Sequence, residues 1–442
     1  MSTAFSGYKR RVARILEKAG AEIGDVIQIT RENDVIEGIL IPRSGSNDAK
    51  HVTVKLSNGY NIGVRITPKT KIKKVGTGPK PAFTRPPLPK QSMDLPKVVI
   101  VSTGGTISSR VDYRTGGVRP ALTANDLYSV VPELSEIAVV DTDVISNLFS
   151  ENVTVKHWRK MAAVIAKHIK KGLAGIVVAH GTDTMGYSAA ALSFALQNLP
   201  VPVIVVGSQR SADRPSSDAA TNLIGAVRAA AYAPFAEVAV AMHETASDET
   251  IIFHRGTKTR KCHTSRRDAF RSINTSPLAR MKNGQIEMLL ESYRKRGAYS
   301  KLILKPNFNE KVALIKFHPS IDPNIIEWYV SESYKGIILE GTGLGHVGRY
   351  CFSKIRDAIK NSIVVGMTSQ CLWGRISMNV YNQGRDLLAL GVIPLDDMLP
   401  ETALVKLMWI LGQTDDVEEA KSLLSMNLAD EFSRRTRIGE TA

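Results

Sequence analysis

Two glycine loops that carry threonine hydroxyls each follow a short apolar run. Residues 102–107 read Ser-Thr-Gly-Gly-Thr-Ile after the run 97–101, and residues 180–185 read His-Gly-Thr-Asp-Thr-Met after the run 175–179. In an open α/β sheet, ligands bind just beyond the carboxyl ends of the strands, so two such loops on neighbouring parallel strands would face one crevice. Hydroxyls and backbone N–H groups together supply a nucleophile and an oxyanion site. The pattern predicts nucleophilic catalysis at one edge of a sheet.

A threonine hydroxyl is a weak nucleophile at neutral pH and needs a base or a polarising environment. Thr106 ends the first loop, and Thr182 and Asp183 are adjacent in the second. Residues 255–268 are dense in cations, and a lysine there would act as a base if burial or nearby positive charge lowered its pKa. Asp183 would then hold or orient that lysine. Taken alone, each loop is better explained as a tight turn, with Thr106 as a helix N-cap; taken together with the aspartate and the cationic segment, they favour a site.

Composition limits the class of protein. The chain has 442 residues, of which 43% are hydrophobic, and no apolar run near the length of a membrane span. We expect no secretory signal, because the N-terminus has basic residues but no apolar core. The three cysteines, Cys262, Cys351 and Cys371, are odd in number and far apart. We therefore expect reduced thiols in the cytoplasm, no disulfide framework and no metal site.

The positive charge is concentrated near the N-terminus. The net charge is +16, and residues 1–97 hold 18 Lys and Arg against 8 Asp and Glu, which is +10. So basic a segment would attract a polyanion through counterion release, although a solvated basic surface explains the composition equally well.

The first part of the chain has the pattern of a small β-domain. One helix is predicted over residues 8–19, and short β-branched runs separated by turn signals follow at 26–30, 36–41, 51–56 and 62–66. We predict a small basic β-barrel over residues 1–76. Residues 77–96 are rich in proline, which predicts an extended linker.

The rest of the chain alternates apolar strands with helices. Strands are predicted at 98–101, 175–178, 203–206, 238–242, 312–317, 336–340 and 363–367, and helices at 155–171, 187–199, 217–231 and 401–411. This alternation predicts a parallel sheet covered on both faces. The rhythm breaks near residues 275–310, so we predict one α/β domain over 97–305, which carries the site, and a smaller one over 306–442.

The two loops resemble a known pair of motifs. Residues 103–107 and 180–185 are similar, in order and separation, to the two signature motifs of the bacterial-type L-asparaginase/glutaminase family. The resemblance runs from about residue 97 to the C-terminus. It implies the two-domain parallel-sheet core of asparaginases and hydrolysis of a side-chain amide.

The resemblance also implies a role for each matching residue. Thr106 would be the nucleophile, assisted by Tyr113 on a mobile loop, and Thr182 and Asp183 would form a second triad with a lysine. Counting back from Asp268-Ala269-Phe270 selects Lys261 rather than Lys258. Because this motif is not very specific, both lysines remain candidates. The remaining residues implied to contact substrate are Ser150, Glu151, Gly105 and Gly181.

With its N-terminal segment, the whole chain resembles the D-subunit family of archaeal Glu-tRNA(Gln) amidotransferases. That resemblance implies a glutaminase without a cofactor of its own, which supplies ammonia to a partner, the E subunit of the same amidotransferase. The partner would use ATP and Mg to amidate the glutamyl group of Glu-tRNA(Gln), in a heterotetramer built around a homodimer of this chain.

Two alternatives remain. The first is a stand-alone L-asparaginase with an appended domain. The second is a non-catalytic RNA-binding or scaffold protein, which the retention of Thr106, Thr182, Asp183 and Lys261 disfavours. A dinucleotide site is less favoured still, because the first loop lacks the G-x-G-x-x-G spacing.

Overall fold

The computed structural model describes residues 8, 10–31, 34–41, 50–56, 61–77, 94–104, 109–112, 117–120, 131–210, 217–433 and 435. Gly105, Thr106 and Tyr113 therefore lie outside the described residues, as does most of the predicted linker. The domain boundaries predicted above stay predictions.

The N-terminal domain is a helix packed on an antiparallel sheet. Helix α1 covers Arg10–Lys18, and the strands are β1 Val26–Arg31, β2 Asp34–Leu40, β3 His51–Lys55, β4 Asn61–Arg65 and β5 Lys71–Gly76. The sheet order is β4-β3-β2-β1-β5. Leu16, Ile27, Ile29 and Val54 are fully buried between helix and sheet, which agrees with the predicted small β-domain. Strand β5 was not predicted, because its run of lysines hides the apolar positions.

An eight-stranded sheet forms the centre of the larger α/β domain, in the order β18-β17-β14-β13-β12-β10-β6-β9. The strands of this part of the chain are β6 Lys97–Gly104, β7 Ser109–Asp112, β8 Gly117–Pro120, β9 Val139–Leu148, β10 Gly175–Ala179, β11 Leu196–Gln197, β12 Val203–Val206, β13 Val238–His243, β14 Thr250–Arg255, β15 Thr259–Lys261, β16 Phe270–Ser272, β17 Ala279–Lys282, β18 Gln285–Met288 and β19 Ile303–Leu304. Its helices are α2 Val155–Ile169, α3 Met185–Ala195 and α4 Ala219–Tyr232, with 3₁₀ turns at Pro132–Glu136 and Ser150–Asn152.

The smaller α/β domain contains a four-stranded parallel sheet in the order β20-β21-β22-β23. Its elements are β20 Val312–Lys316, α5 Asn324–Ser331, β21 Gly336–Gly341, a 3₁₀ turn at Arg349–Cys351, α6 Phe352–Lys360, β22 Val364–Ser369, α7 Asn382–Leu390, β23 Ile393–Pro394, α8 Pro400–Ile410 and α9 Val417–Ser425. The seven strands predicted for the core are confirmed, as is the two-domain α/β architecture. The larger sheet is mixed, however, because β14, β17 and β18 pair antiparallel.

The two α/β domains share one apolar core. Helix α8 is buried over most of its surface, and its Trp409 ring stacks on Phe194 of α3 with the ring centroids 5.9 Å apart. A helix that is apolar all round is stable only when it is enclosed. The same core cluster contains Val178 of the first sheet and Ile338 of the second, so α8 joins the two domains into one body.

The strand order predicts where a ligand would bind. Strand β6 comes first in the chain, and the next two parallel strands, β9 and β10, pair with it on opposite sides. The connections leaving these strands diverge, and such a switch point is where open α/β sheets bind ligands. In the described part of the chain, no helix combines the length and the apolar character needed to cross a bilayer.

Candidate active site

Three neighbouring parallel strands end at the same edge of the sheet. These are β9, β6 and β10, with Ser102 opposite Ala179 and Gly104 opposite Leu148. The Thr103 hydroxyl donates to the carbonyl of Ala179 at 2.9 Å and so ties the first loop to the strand that leads into the second. The two loops singled out in the sequence therefore leave adjacent strands on the same edge.

Gly104 allows the first loop to leave its strand. Its φ is +116°, and a Cβ at this position would lie 2.4 Å from the backbone nitrogen of Leu148. Only glycine adopts this conformation without strain, and only glycine fits against the neighbouring backbone. Gly105 and Thr106, which follow it, lie outside the described residues.

The loop after β9 packs directly on the loop after β10. A Cβ on Gly181 would come within 2.9 Å of the Ser150 Cβ and 3.0 Å of its hydroxyl oxygen. The Thr184 hydroxyl donates to the Ser150 carbonyl at 2.7 Å. Ser150 is buried and Glu151 beside it is exposed. Ser150, Glu151 and Gly181 were expected near Thr182, and the structure brings these residues together.

A lysine reaches the second loop from a separate hairpin. Strands β15 and β16 pair antiparallel, and Lys261 ends β15. Its Nζ donates to Thr182 Oγ1 at 2.9 Å and to Asp183 Oδ1 at 2.7 Å. The Thr182 side chain is largely buried, whereas Asp183 is exposed. Threonine, aspartate and lysine thus form one hydrogen-bonded group.

The other lysine considered, Lys258, lies elsewhere. Its side chain is 1% exposed, and its Nζ pairs with the Asp397 carboxylate of the smaller α/β domain at 2.7 Å. Burial lowers the pKa of Lys258, partly opposed by the negative charge of Asp397. Lys258 lies in the turn before β15, where its N–H donates to the Arg255 carbonyl at 3.0 Å, whereas Lys261 ends the strand. Of the two, only Lys261 faces Thr182.

The cations around Lys261 are paired with carboxylates. Salt bridges join Arg260 to Glu401 at 3.5 Å, Arg266 to Asp268 at 2.6 Å and Arg267 to Asp248 at 2.8 Å. Burial raises the pKa of Asp268, but hydrogen bonds from Arg271 and Arg266 outweigh it and lower that pKa overall. The segment is therefore a set of ion pairs, and the mutual repulsion expected from its sequence is largely offset.

A buried histidine beneath this group was not predicted from the sequence. His180 directly follows the last residue of β10, and none of its side chain is exposed. Burial lowers its pKa, partly opposed by a hydrogen bond with the backbone of Gly181. Its place directly before the glycine of the second motif was the available signal.

The chain resembles known proteins domain by domain. The family model described as "Asparaginase, N-terminal" matches residues 97–294, the "Glutaminase/Asparaginase C-terminal domain" matches 311–424, and the "GatD N-terminal domain" matches 21–75. Among solved structures, an L-asparaginase from Thermococcus kodakarensis superposes with a TM-score of 0.70 at 31% identity, covering 77% of this chain and all of that one. L-asparaginase I from Vibrio cholerae gives 0.68 at 29% identity, with 77% and 99% covered.

Curated relatives match almost the whole chain. The D subunit of glutamyl-tRNA(Gln) amidotransferase from Methanothermobacter thermautotrophicus is 48% identical over 432 residues, which are 98% of each protein. The protein of the same name from Pyrococcus furiosus is 48% identical over 435 residues, 97% of this chain and 98% of the relative. The N-terminal domain, the asparaginase-like core and the match over almost the whole chain all point to one family. The chain belongs to the D-subunit family of glutamyl-tRNA(Gln) amidotransferases.

Proposed function

We propose that this chain is the glutaminase subunit of a glutamyl-tRNA(Gln) amidotransferase. It hydrolyses the side-chain amide of glutamine and delivers ammonia to a partner, the E subunit, which uses ATP and Mg to convert Glu-tRNA(Gln) to Gln-tRNA(Gln). The observation that carries the proposal is the contact of Lys261 with Thr182 and Asp183, on the loop beside the one that leads to Thr106. The tRNA-linked reaction is inferred from the curated relatives, which are D subunits of glutamyl-tRNA(Gln) amidotransferases.

The reaction proceeds through an acyl-enzyme. The Thr106 hydroxyl attacks the carboxamide carbon of glutamine, its proton passes to the leaving nitrogen, and ammonia departs. Water then adds to the ester carbonyl and releases glutamate and the free hydroxyl. Backbone N–H groups near Thr106 and Thr182, beside Gly105 and Gly181, stabilise the oxyanion in both steps.

Lys261 sets the direction of the Thr182 hydroxyl. An ammonium can only donate, so Thr182 Oγ1 accepts from Lys261 and its own O–H is left to donate toward the crevice. Thr182 is then able to relay the proton of Thr106, accepting it at Oγ1 while its own hydroxyl proton passes to the leaving nitrogen, and the positive charge favours the oxyanion state. Asp183 holds the ammonium in place at 2.7 Å.

Substrate is held by the loop after β9. Ser150 and Glu151 bind the α-amino and α-carboxylate groups, since a hydroxyl and a carboxylate there suit those charges. Tyr113, flanked by Gly116 and Gly117 in the sequence, assists Thr106 on a loop that closes over the substrate and excludes water. The chain acts in the cytoplasm as a homodimer within a heterotetramer.

The test is ammonia release from glutamine and from asparagine, by the full chain with and without the co-purified E subunit and Glu-tRNA(Gln). We expect weak glutamine hydrolysis by the chain alone and a large increase with partner and tRNA. Thr106→Ala should abolish it; activity unchanged by Thr106→Ala would remove the proposed nucleophile. High asparagine hydrolysis without the partner would instead support the stand-alone L-asparaginase suggested by the structural match.

A further inference from the structure

His180 lies directly under the loop that carries Thr182 and is part of a buried hydrogen-bond chain. Its Nδ1 is 2.7 Å from the Gly181 carbonyl oxygen, and its Nε2 is 2.9 Å from the Ser188 hydroxyl on α3. The indole N–H of Trp158 donates to the same hydroxyl at 2.9 Å. His180 and Ser188 are fully buried and Trp158 is nearly so.

The chemistry of the three groups fixes the direction of every bond. A carbonyl oxygen only accepts, so Nδ1 of His180 carries a hydrogen and donates it to Gly181. An indole N–H only donates, so Ser188 Oγ accepts from Trp158 and keeps its own O–H to donate. Burial lowers the pKa of His180 and favours the neutral ring. With its hydrogen on Nδ1, the neutral ring has no hydrogen on Nε2, which therefore accepts from the Ser188 O–H.

This chain of hydrogen bonds sets the orientation of one peptide group. In a planar trans peptide, the carbonyl of one residue and the N–H of the next point in opposite directions. Because the Gly181 carbonyl is turned inward to the His180 ring, the N–H of Thr182 points away from the buried ring. Within the part of the chain that the structure describes, no group accepts from this N–H. Ser150, packed against Gly181, blocks the loop from the other side.

We propose that His180 is a positioning residue that aims the Thr182 N–H at the oxyanion of the reaction, with Ser188 and Trp158 locking its tautomer. The inference rests on the proposed amide hydrolysis. Removing an oxyanion-hole donor costs about 10²–10³ in kcat. Loosening the support of a donor that is still present costs less, and we expect a loss of about three- to tenfold.

The main variant is Ser188→Ala, which removes the lock without touching the loop. Its matched control is Ser193→Ala, on the same helix, where the hydroxyl donates only to the Ala189 carbonyl at 2.8 Å. In the complex with the E subunit and Glu-tRNA(Gln), we expect Ser188→Ala to lower kcat for glutamine about three- to tenfold with KM unchanged, and Ser193→Ala to match the parent. Equal kcat values for both variants and the parent would overturn the proposal.

A transition-state probe separates orientation from general damage. Glutamate γ-semialdehyde adds to a nucleophilic hydroxyl to give a hemiacetal whose oxygen occupies the oxyanion site, whereas glutamate does not form this bond. We expect Ser188→Ala to weaken binding of the semialdehyde by the same factor as kcat and to leave glutamate binding unchanged. Equal weakening of both ligands would indicate a merely structural role and would contradict the proposal.

Two substitutions of His180 test whether a side-chain N–H at this position is enough to retain activity. His180→Asn keeps a side-chain N–H near the Nδ1 position, whereas His180→Leu removes it. We expect the asparagine variant to keep more of the parent kcat than the leucine variant. The reverse order would count against the hydrogen bond to Gly181.

The tautomer of the His180 ring can be measured without an activity assay. In a ¹⁵N spectrum of histidine-labelled full-length chain at pH 7, the signals that disappear in His180→Asn should be those of a neutral Nδ1–H ring. An Nε2–H ring or an imidazolium would refute the proposed bond directions. If the parent hydrolyses no glutamine, the proposed function fails, while this spectrum still decides whether His180 holds the Gly181 carbonyl.

Discussion

At the scale of single residues, the site depends on one cation shared between two oxygens. Lys261 contacts both Thr182 Oγ1 and Asp183 Oδ1, and its side chain is only 15% exposed whereas that of Asp183 is 68% exposed. An exposed carboxylate is weakly held by a surface ion pair alone. We therefore expect the largely buried threonine to be the functional partner of Lys261, with Asp183 contacting the lysine from the solvent side.

Lys261→Met removes this cation while keeping an unbranched side chain of similar length. We expect kcat for glutamine to fall by about 10²-fold or more, because Thr182 loses both its orientation and the nearby positive charge. The measurement is ammonia release in the assembled complex. Lys282→Met, an exposed position on β17, should retain the parent rate. A Lys261→Met rate within about threefold of the parent would contradict the assignment.

Buried histidines make stability depend on pH in a defined direction. Burial and the nearby charge of Arg271 lower the pKa of His254 to about 3, against about 6.5 in an unfolded chain. Between those values the unfolded chain binds more protons, so the folded state loses stability as the pH falls below about 6.5. For this one group the loss from pH 7 to pH 5 is about 2 kcal/mol.

His254→Asn should remove that contribution. Urea titrations at pH 7 and pH 5 give the free energy of unfolding of each protein at both pH values. We expect the decrease from pH 7 to pH 5 to be about 2 kcal/mol smaller in the variant than in the parent. His318→Asn, at an exposed position, should retain the parent difference between the two pH values. The same pH dependence in all three proteins would disprove the assignment.

Single residues also mark where sequence reasoning ended. The residue types around Lys258 and Lys261 are alike, and the choice between them depends on which of the two lysines pairs with Asp397. That carboxylate lies 139 positions further along the chain. His180 was missed because a histidine before a glycine loop has no chemistry until its two ring nitrogens find partners in the fold.

At the scale of elements, the hairpin of β15 and β16, called the lysine hairpin below, is anchored to the smaller α/β domain. Lys258 pairs with Asp397, Thr257 accepts at its carbonyl from Thr402 at 2.9 Å, and the Lys258 carbonyl accepts from Ile273 at 2.8 Å to close the hairpin. Strand β15 thus presents Lys261 to the larger α/β domain, and contacts with the smaller α/β domain hold the start of that strand in place.

Lys258→Met should destabilise the protein strongly, because it leaves the Asp397 carboxylate buried without its cation. We expect a loss of about 3–5 kcal/mol in the free energy of unfolding, and recovery of most of it in Lys258→Met/Asp397→Leu. Urea titration measures both. The exposed pair Lys421–Glu418 on α9 provides the control, and Lys421→Met should change stability by less than about 1 kcal/mol. A double variant no more stable than the single one would contradict this account.

Elements differed in how well the sequence predicted them. The continuous Val and Ile runs of β6, β10, β12 and β13 identify buried parallel strands, because such strands are apolar on both faces. Strand β9 reads Val-Val-Asp-Thr-Asp-Val-Ile-Ser-Asn-Leu and lies at the edge of the sheet, where polar residues face solvent. It was not predicted, although it leads into Ser150.

At the scale of the whole molecule, the N-terminal domain has an apolar core of its own. Among the described residues, its core cluster contains none from the two α/β domains. Residues 1–93 also carry 17 Lys and Arg against 7 Asp and Glu, a contribution of +10 to the net +16.

Deleting residues 1–93 should leave the α/β core folded and weaken binding to polyanions. We expect an unchanged thermal midpoint for the core transition in calorimetry, and elution from immobilised heparin at lower salt, because fewer counterions are released. A chain that unfolds after the deletion would contradict the independence of the core, and unchanged elution would show that the basic segment does not contact the polyanion.

The sequence predicted the two α/β domains but not their shared interior. Strand and helix patterns are local, whereas α8 is enclosed by elements far away in the chain, and its apolar surface alone does not say what covers it. The crevice was predictable because two loops on parallel strands must leave the sheet at the same edge.

The long separation between Lys258 and Asp397 has a consequence for synthesis. At about 5–20 residues per second, a ribosome adds the aspartate roughly 7–28 s after the lysine, since 139 positions separate them. During that interval the nascent lysine hairpin has no anchor, and the loops it must meet are already made. We therefore expect a chain interrupted before Asp397 to release no ammonia, so that translation failure does not produce an unregulated source of it.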